Sequence, residues 1–125
     1  MSTLVAQTIS NGTVSTSSQH VIQGSAKAWL NLSLTGGVAT TRGSYNISSV
    51  TRTGTGQGYA TLTTSMPNAN YAVVCGGSEN NTTGTARFTT AWVTSESRFD
   101  FSGVSYIGSI TYGDNATLSF AVLSS

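Results

Sequence analysis

The stretch Arg42 to Val74, RGSYNISSVTRTGTGQGYATLTTSMPNANYAVV, decides the fold. Ser44 to Thr53 reads as one alternating segment, with Tyr45 and Ile47 set against Asn46, Ser48 and Val50. Gly54, Gly56 and Gly58 then punctuate the chain, and Tyr59 to Thr64 alternates again, with Leu62 among threonines. Met66-Pro67-Asn68-Ala69-Asn70 is a turn by composition, and Tyr71 to Cys75 is a short apolar strand. Period-two alternation broken by Gly, Pro and Asn is the mark of antiparallel strands. The reading here is a hairpin plus a returning strand, a three-stranded meander.

Working outward toward the amino terminus, Ala26 to Leu34 is a strand. Ala28, Leu30, Leu32 and Leu34 share the face that must go inward. Trp29 stands on the opposite face, placed to pack under a loop or against another subunit. Gly36-Gly37 makes a turn, and Val38 to Arg42 is a short strand or connector. Residues 1–25 hold few apolar side chains among Ser, Thr, Gln and Gly. They are expected to form an extended anchoring arm with one or two short strands, ordering on a neighbouring chain. Residues 26–125 form the folded knob.

Toward the carboxyl terminus, Gly76 to Gly84 reads as a loop. Thr85 to Val93 alternates, with Phe88 and Trp92 on one face and Arg87, Ala91 and Val93 on the other. Phe99 and Phe101 point in, while Glu96, Arg98 and Asp100 form an outward charged row. Ser105 to Tyr112 is set around Gly108, Gly113-Asp114-Asn115 is a hairpin-type turn, and Ala116 to Leu123 is the last strand. Leu118, Phe120 and Val122 share one of its faces. About eight strands with short turns define an all-β, antiparallel β-sandwich of jelly-roll-like kind.

Composition bounds what such a body does. At 125 residues the chain fits one domain. Only 7% of residues are charged, and the net charge is +1. That leaves no electrostatic footprint for nucleic acid or anionic lipid. Near-neutral proteins associate readily. Lys27 and Pro67 are the only lysine and the only proline available to blunt strand edges. A homo-oligomer is therefore expected to cover them. No apolar run reaches membrane-spanning length, and no secretory signal opens the sequence, so a soluble chain without membrane insertion is expected. Cys75, the one cysteine, follows Val73 and Val74 and is expected to be buried and inert.

Chemistry has little to work with. The acids are Glu79, Glu96, Asp100 and Asp114, and the only histidine is His20, in the arm. No convergent pair or triad emerges from them, so no enzyme, metal or cofactor is expected. Gly54-x-Gly56-x-Gly58 joins strand to strand, without a helix amino terminus for phosphate, and reads as a wide flexible hairpin tip. Tyr59, Tyr106 and Tyr112, with Asn80 and Asn81, are candidates for sugar contact by ring stacking and short hydrogen-bonding side chains. With Trp29 they make up the candidate contact residues. Their clustering beside polar loops would strengthen that reading.

Three motifs carry a resemblance. Lys27-Ala28-Trp29-Leu30-Asn31, then Arg42 to Tyr59, then Met66-Pro67-Asn68-Ala69-Asn70-Tyr71-Ala72-Val73-Val74 run in the order found in a carboxyl-terminal domain of tailed-phage tail fibre and related virion proteins. The chain resembles that domain over positions 26 to 74. It departs from it at Gln57-Gly58, where the family commonly has an acid before the aromatic. The resemblance implies a trimeric β-sandwich head on a phage virion, contacting a host surface glycan or outer-membrane receptor. Residues 1–25 are too short for a fibrous shaft, so the expected part is a small fibre or tip knob docked to other phage structural proteins by that arm. The alternatives are a head decoration protein without receptor binding and a stand-alone glycan-binding module.

Overall fold

A computed structural model describes residues 2–78, 86–106 and 108–124. Among the described residues, eleven strands and one short helix follow in order: β1 (Thr8–Ser10), β2 (Ser15–Ser17), α1 (Ser18–Gly24), β3 (Ala28–Ser33), β4 (Thr40–Tyr45), β5 (Ile47–Gly54), β6 (Gln57–Leu62), β7 (Ala72–Ser78), β8 (Ala86–Ser95), β9 (Arg98–Tyr106), β10 (Ile110–Tyr112) and β11 (Thr117–Leu123). A 3-10 turn at Thr35–Gly37 links β3 to β4. The body is an antiparallel β-sandwich of two sheets. One is four-stranded, in the order β4-β3-β11-β7. The other is five-stranded and centred on β9, which pairs with β8 along one side. On its other side β9 pairs first with β6, over Arg98 to Ser102, and then with β10, over Val104 to Tyr106. β5 lies outside β6.

The core follows the alternation. Ala28, Leu30, Leu32, Leu118, Phe120 and Val122 face inward from the four-stranded sheet, and Ala60, Leu62, Phe99 and Phe101 meet them from the other. The Phe120 ring lies 5.4 Å from Phe99 and 5.2 Å from Phe101, tilted against both. Each such ring contributes on the order of 2 kcal/mol by leaving water. Tyr71 is buried with them; its single hydroxyl hydrogen is shared between the carbonyls of Ser95 and Arg98, at 2.9 and 2.8 Å.

Several expectations are corrected. The meander does not form: β5 and β6 make a hairpin, but β7 crosses to the other sheet and pairs with β11. The segment between them is a crossing, held where Met66 N–H donates to the Glu96 carbonyl at 2.8 Å. The single strand expected over Ser44 to Thr53 breaks at Asn46 into β4 and β5, one in each sheet. The Gly54 to Gly58 tip is not wide. It is a two-residue turn in which Gly56 has φ +66 and a Cβ would sit 2.6 Å from the carbonyls of Gly103 and Gly113.

Gly113 to Asn115 is likewise no hairpin, since β10 and β11 belong to different sheets. Asn115 is fully buried there, its amide carbonyl accepting from Arg87 at 3.3 Å. The expected loop from Gly76 begins late, because β7 continues to Ser78. Gly77 belongs in that strand for a packing reason: a Cβ would press into Thr89 of β8. The rest of that loop lies outside the described residues. Cys75 is half-buried, its thiol 3.1 Å from the Thr89 carbonyl, and burial raises its pKa.

The arm is not simply extended. β1 and β2 form a small hairpin and lead into α1, whose Ser17 cap accepts from the His20 N–H at 3.3 Å. No residue of α1 is buried, and none of the described arm residues joins the core.

Candidate functional site

Strand alternation leaves each sheet an outer face, and the candidate residues divide between them. Trp29 stands outside the four-stranded sheet. Cross-strand register sets it in one row, Tyr45–Trp29–Ala121–Val74, across all four strands. Tyr45 is 60%, Trp29 45% and Val74 57% exposed. The Trp29 ring lies across Gly43, where a Cβ would come within 3.2 Å of it.

Tyr59, Tyr106 and Tyr112 all point outward from the five-stranded sheet, so the structure gathers them on one face. Asn80 and Asn81 lie outside the described residues. Register arranges this face in successive rows: Tyr106 beside Ile110, then Phe88–Val104–Tyr112, then Thr90–Ser102–Gln57, then Trp92–Asp100–Tyr59. Phe88 and Trp92, four residues apart on β8, are separated by roughly 13 Å. Tyr112 lies two strands across from Phe88, roughly 10 Å away. Between the aromatic rows runs a groove of about 340 Å³, lined by Thr90, Trp92, Ser102, Val104, Ile110, Thr111 and Tyr112. Ser102 forms its floor. It is 3% exposed.

Phe88, Trp92 and Ser102 were not among the candidates read from the sequence. The shared face of Phe88 and Trp92 is visible in their spacing; that it faces outward depends on which face of β8 the core covers, and Ala91 and Val93 pack against it.

The Tyr59 ring is partly occupied, because the Arg98 guanidinium lies 3.7 Å over its centroid. Arg98 also pairs with Asp100 through two hydrogen bonds, at 2.6 and 2.8 Å, and Thr94 donates to the same carboxylate at 2.8 Å. The Arg98 hydrogen bond and then the Thr94 hydroxyl hold the Asp100 pKa below its usual value, against the opposing effect of burial. Arg98 and Asp100 therefore form a neutralised pair on this face. Glu96 does not extend their row; it sits exposed in the turn between β8 and β9.

A second concavity, of about 570 Å³, lies where the arm joins the body, lined by Lys27, Tyr45, Asn46, Met66 and Pro67 among others. Three motif-bearing stretches meet there. Asn46 adopts φ 57, its amide N–H₂ donates to the carbonyls of Lys27 and Thr64 at 3.1 Å each, and its amide oxygen accepts from Thr64 N–H at 2.7 Å. The Lys27 amine caps the carbonyl of Ile22 at the end of α1 and donates to Ser25 Oγ at 2.9 Å.

The fold is thus an all-β, two-sheet sandwich with an amino-terminal arm joined at one end and an aromatic groove on one outer face. No protein-family model, curated protein or solved structure matches the chain. Among the described residues, no helix is long and apolar enough to cross a membrane.

Proposed function

We propose that this chain is a structural protein of a bacteriophage particle: a trimeric β-sandwich knob of a tail fibre or tip, attached by residues 1–25 and turned toward the host surface. One observation carries the reading. The described arm residues contribute nothing to the core and leave apolar side chains in water, with Leu4 92%, Val5 87%, Val14 68% and Ile22 61% exposed. Apolar residues kept on a segment that does not bury them against its own body fit a segment that docks on another chain. The resemblance of residues 26 to 74 to virion head domains supports the particle, and the exposed Tyr45–Trp29–Ala121–Val74 row supports self-association.

Light scattering and particle imaging test it. The expected mass in solution is about three times the 12.9 kDa of one chain. Labelled protein should appear at the tail tip, and a chain lacking residues 1–25 should fold but fail to join the particle. A stable monomer at high concentration, or normal incorporation of the shortened chain, would remove the trimer or the arm's role respectively. Many copies on the head would replace the tip with head decoration.

A further inference from the structure

We propose that the groove between β8 and β10 is a carbohydrate-binding site, in which Trp92 and Tyr112 stack on a neutral saccharide above the hydroxyls of Ser102 and Thr90. The inference rests on the reading of the knob as a host-surface contact and names what that surface presents.

Three observations converge. The first is the pair of hydroxyls. Ser102, 3% exposed in the floor, and Thr90 both line the groove. Each hydroxyl can donate one hydrogen bond and accept others, which suits a ligand with hydroxyls of its own. The second is the pattern of the walls. Trp92 and Tyr112 are 49% and 56% exposed, on opposite sides of that floor, with Thr90 beside it. A sugar ring has an apolar C–H face and a hydroxyl rim, and this alternation of aromatic wall and short hydroxyl matches both. A lipid partner would favour a continuous apolar surface; here the row Thr90–Ser102–Gln57 interrupts it.

The third is charge. The ionised side chains on this face, Arg98 and Asp100, are bonded to each other. The groove thus offers no free cation for a phosphate, sulfate or sialic acid, and an uncharged saccharide suits it. Every group named stands on a strand, so little side-chain and loop ordering is required on binding.

The test is the full-length protein on a printed array of neutral and acidic glycans. The expected result is binding to one or more neutral glycans, with Trp92→Ala and Tyr112→Ala each weakening it on the order of tenfold, as for central aromatic anchors. Ser102→Ala should weaken it by a few-fold, and Val38→Ala, at an exposed position outside the groove lining, should leave it unchanged. Thr90→Arg, at an exposed position, fills the groove without touching the core and should abolish binding at wild-type melting temperature. Silence across the array, binding to acidic glycans only, or full binding by the Trp92 and Thr90 variants would overturn the proposal. Particle incorporation is read separately: an incorporated protein that is silent on the array sinks the site alone. Glycan binding by a protein absent from the particle sinks the virion reading alone.

Discussion

Arg52 and Asp114, 62 residues apart in the chain, meet in a two-pronged ion pair, Nε to Oδ1 at 3.0 Å and Nη2 to Oδ2 at 2.8 Å. The same carboxylate accepts the Gly56 N–H at 2.8 Å. One side chain therefore fastens the β10–β11 crossing to the β5–β6 turn at the end of the sandwich.

The pair makes a pH-dependent prediction. The Arg52 hydrogen bond, followed by the Gly56 N–H, holds the Asp114 pKa below its ordinary value, against burial. A carboxyl whose pKa is lower folded than unfolded stabilises the fold above its unfolded pKa and loses that contribution as pH falls through the folded one. Asp114→Asn should therefore lower the melting temperature at neutral pH by about 4 °C. The deficit should shrink as the solution is acidified below about pH 4. A deficit that stays constant in acid would show that the carboxylate charge is not what holds the turn.

Two glycines should respond oppositely to alanine. At Gly56 the added methyl would meet backbone carbonyls at 2.6 Å, at a φ of +66. The carbonyls cannot swing away as a side-chain end could, so Gly56→Ala should cost on the order of 3 kcal/mol. At Gly76 nothing lies within 4 Å of the same position. There alanine should stabilise β7 by about 0.5 kcal/mol through lower unfolded-state entropy. Urea titration of both variants checks the sign and the order.

Asn46 should separate backbone conformation from hydrogen bonding. Asn46→Gly keeps the left-handed turn and loses the three amide bonds to Lys27 and Thr64; Asn46→Ala loses both. The glycine variant is expected to be destabilised by about 2 kcal/mol. The alanine variant should fall roughly 1 kcal/mol further. Chemical denaturation measures each, and equal losses would mean that the turn carries no conformational demand of its own.

Much of the layering was legible. Ala28, Leu30 and Leu32, Phe99 and Phe101, and Leu118, Phe120 and Val122 all face inward as their spacing implied. Alternation reports which side of a strand meets the core. It does not report which strand lies alongside. Alternation therefore suggests β7 beside β6, although it pairs with β11, and an unbroken strand through Asn46, where the chain changes sheets. Asn46 reads as one more polar residue in an alternating run until its amide is seen tying three segments together.

The candidate site divides the same way. Tyr106 and Tyr112 could be named from composition, but the groove exists only because β10 turns back beside β9 and places Tyr112 opposite Phe88. The chain by itself determined most strands of the body, the buried faces of β3, β9 and β11, and the scarcity of charge, because alternation is local and charge is composition. Tertiary structure alone decided the sheet partners, the Arg52–Asp114 fastening and the floor at Ser102. Those depend on segments tens of residues apart closing onto one another, where local pattern leaves several pairings equally well buried.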